Sequence, residues 1–251
     1  MCVSAGLHVI AVTDHDTTAA VAEVQSLARD RGIQAVPGIE ITAVDGGRDV
    51  HMLGYFVDPD RAGFAQFLVA QREARIARAE VIGRRLSELG VPIALDALLA
   101  NARAQPTRSV GRPQIARAMV AAGHARDMAD AFERWLGQGG PAFAVRAGPS
   151  PEAVIGVIHD AGGLASLAHP GRTRIDHRIE ALRNAGLDAI EVYHRDHDPS
   201  LVQRYQRVAS DLALLATGGS DFHGEPRHAL GAVSLPEHEW ARLDASRLRY
   251  A

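Results

Sequence analysis

Short apolar runs alternate with amphipathic stretches along most of this chain. Residues 7–12 form a β-rich run that reads as a buried strand. Residues 17–31 read as a helix, capped by Asp16 or Thr17 and closed by Gly32. Residues 33–36 and 39–44 are extended and broken by Pro37-Gly38, and 50–57 is a further strand. The rhythm returns later, with helices at 151–161, 175–185 and 199–211 and strands at 164–167, 189–193 and 213–217. Strands separated by single helices predict right-handed βαβ units and a parallel sheet or barrel.

The middle of the chain differs. Residues 60–145 show no strand pattern but a long helical pattern over 61–89 and shorter ones near 96–102, 113–122 and 127–136. Because the strand–helix rhythm resumes afterwards, this segment is expected to be an all-helical insertion. The main domain would then be 1–59 with 146–251, and the insertion 60–145. The insertion carries twelve arginines against eight acidic residues. It is either a solvated basic surface or a cap that supplies phosphate-binding arginines, whose planar fork suits phosphate oxygens.

Composition narrows the classes. The 251 residues are 47% hydrophobic and 23% charged, with a net charge of -3. That balance gives no global pull toward nucleic acid or a membrane surface. Cys2 is the sole cysteine, so no disulfide framework is possible within the chain and a reducing, cytoplasmic setting is expected. No run reaches the length of a membrane span, and no signal peptide is read at the start. No Gly-x-Gly-x-x-Gly follows the first strand, which disfavours a dinucleotide binder. All basic residues other than histidine are arginine.

Metal-capable residues gather at the ends of the apolar runs. Asp14, His15 and Asp16 follow the first, Glu40 follows Pro37-Gly38-Ile39, and His51 lies within Asp49-Val50-His51-Met52. His169 follows 164–167, Glu191, His194 and His197 follow Ala189-Ile190, and Asp221 and His223 follow 213–217. In α/β barrels the C-terminal strand ends converge on one face, where sites form. A buried charge there needs a partner, and shared divalent ions would satisfy these groups together. Mixed imidazole and carboxylate donors suit Zn²⁺, Mn²⁺ or Fe²⁺. His8 is assigned to packing, and His124, His159, His177 and His238 have no strand-end context.

The segments Thr13-Asp14-His15-Asp16-Thr17, Pro37-Gly38-Ile39-Glu40-Ile41, His51-Met52-Leu53-Gly54-Tyr55, Leu167-Ala168-His169-Pro170 and Gly219-Ser220-Asp221-Phe222-His223-Gly224 resemble the ordered motifs of the PHP (polymerase and histidinol phosphatase) superfamily. With Gly111-Arg112-Pro113-Gln114, the resemblance is nearest to the TrpH or RNase AM branch. It implies an α/β fold, a distorted (βα)7 barrel, and up to three divalent ions, Mn²⁺ first and Zn²⁺, Fe²⁺ or Mg²⁺ as alternatives. The implied ligands are His15, Glu40, His51, His169, Asp221 and His223, with Glu40 bridging and Asp14 orienting. His197, with His194 as its alternative, and Arg172 are implied phosphate or leaving-group contacts, and Arg112 a contact from the insertion. The family opens on a strand with a His-x-His motif that this chain lacks, so strand one and at least two ligands of one metal are expected to be missing. Gln114 also stands where relatives often carry His.

The resemblance further implies a phosphoesterase of nucleotides. Expected substrates are 3′,5′-bisphosphonucleosides losing the 3′-phosphate, or short RNA trimmed from the 5′ end. Neither a membrane nor stable duplex nucleic acid is an expected partner. The alternatives are a histidinol-phosphate phosphatase, a non-catalytic phosphate-binding remnant, and an amidohydrolase, which often needs a modified Lys that this chain lacks.

Overall fold

The computed structural model describes residues 1–105, 109–224 and 229–250. In chain order the elements are β1 (Val9–Val12), α1 (Val21–Arg29), β2 (Gln34–Asp45), β3 (Arg48–Tyr55), α2 (Phe64–Glu88), α3 (Leu95–Ala104), α4 (Arg112–Ala121) and α5 (Met128–Ala131), which continues as a π-helical turn over Phe132–Leu136. Then follow α6 (Pro151–Asp160), β4 (Leu164–Leu167), α7 (Pro170–Thr173), α8 (Ile179–Asn184), β5 (Ala189–His194), α9 (Pro199–Asp211), β6 (Leu215–Gly219) and α10 (Glu237–Ala245). Ser150 and Asp198 start α6 and α9 by accepting the N–H groups of Ala153 and Leu201, and proline follows each at the first helical position. Among the described residues no helix is long and apolar enough to cross a membrane.

The strands form one curled sheet in the order β1-β2-β3-β4-β5-β6. It is mixed, not parallel throughout as the rhythm predicts. β1 pairs parallel with β2, β4 with β5, and β5 with β6, but β3 runs antiparallel to β4 with Met52 opposite Leu167. The reason is local. Gly46 and Gly47, at φ 54° and 79°, fit the tight turn that reverses a chain into a hairpin.

A second difference lies at Pro37-Gly38. These residues do not break the strand, and β2 runs through them. Pro37 is the last residue paired with β1, opposite Val12. A Cβ at position 38 would lie 2.9 Å from Thr13 Cγ2 and 3.2 Å from the Val12 carbonyl, so glycine is what lets β2 cross the end of β1. Beyond that crossing β2 alternates. Ile39, Ile41 and Ala43 are fully buried on one face, and Glu40 and Thr42 lie on the other.

The described residues form two compact units. The first comprises Met1–Ala43, Asp49–Ala65 and the chain from Pro149 onward, and holds most of the sheet. The second comprises Val44–Arg48 and Gln66–Gly148. Its core is Ile76, Ile82, Leu86, Ile115, Met119 and Leu136. Arg146 is buried there, donating from Nη2 to the Gln71 carbonyl at 3.1 Å and to Gln71 Oε1 at 2.7 Å.

Candidate metal centre

The loop after β1 is stitched to β2 by backbone geometry. Glu40 N–H donates to the Asp14 carbonyl, and Asp16 N–H donates to the Glu40 carbonyl. Asp16 has φ 53° and is buried, and its Oδ1 accepts the Thr42 N–H at 2.9 Å. Asp16 is therefore a positioning residue for this loop, while α1 begins later, at Val21, without a side-chain cap. The stitching sets His15 directly beside Glu40.

Glu40 is the hub. Its Oε1 lies 2.6 Å from His51 Nδ1 and 3.3 Å from His169 Nε2, and its Oε2 lies 3.4 Å from His15 Nδ1. Burial pushes the Glu40 carboxyl up, but the His15 and His51 charges and the His169 and His51 hydrogen bonds outweigh it and hold it well below the usual carboxylate range. His51 reaches this point by a route unlike the others. It lies early in antiparallel β3, whose start runs beside the C-terminal end of β4, and its carbonyl accepts the Ala168 N–H.

His169 follows β4 at φ 29°, and its N–H donates to Glu191 Oε2 at 2.6 Å. Burial lowers the His169 ring below its ordinary value, despite the Glu40 hydrogen bond. Its Nδ1 is buried without a hydrogen-bond partner. Burial raises Glu191 to about 8, with the charges of Glu40 and Asp221 adding to it and the His169 N–H opposing it.

A second group sits at the ends of β5 and β6. His194 is buried, and its Nδ1 accepts the Asp196 N–H at 3.1 Å, which places the ring proton on Nε2. Nε2 points to Asp221 Oδ2 at 3.6 Å. Asp221 Oδ1 lies 3.5 Å from His223 Nδ1. Burial raises the Asp221 carboxyl, but His194, His223 and Arg195 outweigh it and hold it below the usual range. Burial raises the half-buried Asp14, and His223 opposes that rise. The two groups meet through the His169 and His194 rings, 5.5 Å apart, and the His15 and His223 rings, 6.1 Å apart.

The expected contact residues His197, Arg112 and Arg172 differ in burial. His197 is buried with both ring nitrogens engaged by backbone. Nδ1 donates to the Val192 carbonyl at 2.9 Å, and Nε2 accepts the Gly171 N–H at 3.3 Å. Arg172 is exposed on α7. Arg112 belongs to the second unit, where it stacks on Phe132 and Phe143 at 5.8 and 5.5 Å.

No family model matches the chain. It is 33% identical over 253 residues to a 3′,5′-nucleoside bisphosphate phosphatase of Chromobacterium violaceum, covering 96% of this chain and 88% of that protein. The chain belongs to the PHP superfamily of phosphoesterases. It is also 33% identical to the 5′-3′ exoribonuclease Rnm of Escherichia coli K12, over 85% of this chain and 74% of that one. A crystal structure of a protein described as a metal-dependent phosphoesterase, from Bifidobacterium adolescentis, superposes with a TM-score of 0.87 at 34% identity, covering 97% of this chain and 87% of that chain.

The residues present fit the divalent ions of a PHP phosphoesterase. Among the described residues, ligand atoms of His15, Glu40 and His51 lie within 4.8 Å of one another. Three imidazoles converge on one ionised carboxylate, a mixed nitrogen and oxygen donor set that suits a divalent ion. His169 faces the same cluster through Nε2, 3.3 Å from Glu40 Oε1 and 3.3 Å from His51 Nδ1. The PHP motifs did not expose Asp16, Glu191 or Arg195. Asp16 is of a type and position that equally suit a helix cap, and Glu191 is one of several acids at strand ends.

Proposed function

We propose that this PHP phosphoesterase removes the 3′-phosphate of 3′,5′-bisphosphonucleosides and trims short RNA from its 5′ end. The cluster of His15, Glu40 and His51, flanked by His169, is the observation that carries the reading. The relatives' named activities supply the substrate class. In this reading the six strands are part of a (βα)7 barrel. Glu40, kept ionised, and ring nitrogens of His15, His51 and His169 would hold the divalent ions. Asp221 and His223 close the opposite side, and Asp14 orients His223. Bound divalent ions, manganese first, would supply an activated water and neutralise phosphoryl oxygens.

His197 takes a different part from the expected one. With both nitrogens held by backbone, it braces the turn that carries His169 and does not deliver a proton. An amidohydrolase that needs a modified lysine is disfavoured because the chain has no lysine.

The test is phosphate release from a 3′,5′-bisphosphonucleoside with manganese. His169→Ala is expected to lower turnover by about a hundredfold or more, since even outer-shell losses reach that range. EDTA should abolish the wild-type rate. Near wild-type turnover in the variant would overturn the assignment.

A further inference from the structure

Glu191 is a buried side chain of β5 and, among the described residues, is not one of the three whose ligand atoms cluster at the hub. The strand register says what it faces. Ile190 lies opposite Leu167, the last residue of β4, so Glu191 stands one step further on, level with the turn that follows β4. The regular ladder has ended there. The His51 carbonyl accepts the Ala168 N–H, and the next N–H, that of His169, donates to Glu191 Oε2 at 2.6 Å. A buried backbone N–H needs an acceptor, and beyond the ladder a side chain supplies it.

His169 has a backbone that needs holding. Its φ of 29° and ψ of 60° lie where residues with side chains are rarely found, and such a conformation persists only where the surroundings fix it. Its carbonyl is fixed by the N–H groups of Arg172 and Thr173, at 2.9 and 3.3 Å. Its own N–H is fixed by Glu191. Held at both ends, the residue turns its ring so that Nε2 lies 3.3 Å from Glu40 Oε1 and 3.3 Å from His51 Nδ1.

We infer that Glu191 is a positioning residue of this site, its Oε2 anchoring the His169 N–H so that the His169 ring faces the ion-holding cluster. The inference rests on the phosphoesterase reading and names what orients one of its ion ligands. The place of the oxygen does this, not its charge. A glutamine brings a carbonyl oxygen to the same point, whereas alanine leaves the buried N–H without an acceptor.

The experiment is manganese titration of the full chain, with pulsed electron paramagnetic resonance of the bound ion, for wild type, Glu191→Ala and Glu191→Gln. Glu191→Ala should bind manganese about tenfold more weakly or worse, the range seen when a group that orients a ligand is lost. Its bound ion should show the same loss of imidazole nitrogen coupling as that of His169→Ala. Glu191→Gln should restore both the affinity and the coupling. Wild-type affinity in Glu191→Ala overturns the inference, as does a wild type that takes up no manganese. Weaker binding with the coupling intact also overturns it, because His169 would still be in place. So does a Glu191→Gln that binds as weakly as Glu191→Ala, because the charge would then matter and not the anchor. Should Glu191→Ala fail to fold, Glu191→Asp, which keeps the charge and draws the oxygen back, is read in its place. The expected manganese pattern in a chain without phosphoester turnover would keep this inference and defeat the proposed function. Turnover with unchanged manganese binding in Glu191→Ala would do the reverse.

Discussion

Three imidazoles meet one carboxylate at Glu40, and that carboxylate stays ionised because they outweigh its burial. Glu40→Gln keeps the shape and removes the charge. It is expected to cut manganese content to less than about a tenth of wild type by elemental analysis, in line with the dependence of metal sites on deprotonated ligands. Unchanged content would mean the ion is held elsewhere. At this scale much was legible. His15, Glu40, His169, Asp221 and His223 each stand beside an apolar run, so strand ends alone marked them. The ion pair of Arg195 with Asp221 was not legible, because its two residues belong to separate strand ends. His159 has no strand-end context in the sequence, yet its Nε2 lies 2.8 Å from the buried Asp188 Oδ2. Nothing in the sequence near position 159 announces that partner.

Among elements, the hairpin of β2 and β3 decides where His51 goes. Strand–helix rhythm predicts parallel neighbours, and two glycines override it. Replacing both Gly46 and Gly47 with alanine puts side chains at positive φ and is expected to cost about 1–2 kcal/mol. A urea titration would measure it, and a manganese titration should show weaker binding, because His51 is placed by that strand. Full stability with full metal affinity would refute the role of the turn. The turn after β4 offers a companion test. His197→Ala should lower manganese affinity by about tenfold, as loss of an outer brace does. It should leave both limbs of the pH–rate profile in place. Disappearance of the basic limb would restore His197 as the acid. Strand positions were legible from β-rich runs, whereas strand direction was not, since it depended on backbone angles at two residues.

Across the whole of the first unit, the far end of the sheet is knotted by Asp188, at the start of β5. Its Oδ2 meets His159 Nε2 at 2.8 Å and accepts the Ala165 N–H, and its Oδ1 accepts from Arg249 at 2.8 Å and from the Tyr250 hydroxyl at 3.0 Å. Burial raises the Asp188 carboxyl, but His159, the Ala165 N–H and Arg249 outweigh it and hold it below its ordinary value. A depressed folded pKa gives stability that is fully present above the unfolded value, about 3.9, and is lost as pH falls through the folded one. Asp188→Asn is therefore expected to cost about 2–3 kcal/mol near pH 7 and distinctly less near pH 3, by urea titration. Equal losses at both pH values would sink this account. The sequence showed a chain of strands and helices with a basic middle. It did not show this knot, which joins residues from four separate segments.

The hub at Glu40 has one more consequence. His15 and Asp221 stand about two hundred positions apart, and the two residue groups around them face each other. An ion gripped from both sides would act as a reversible cross-link between the two ends of the chain, closing a very long loop. Ligand that binds only the folded form stabilises it in proportion to the logarithm of its concentration. Protease resistance should therefore climb with free manganese, and chelation should loosen the first and last strands together.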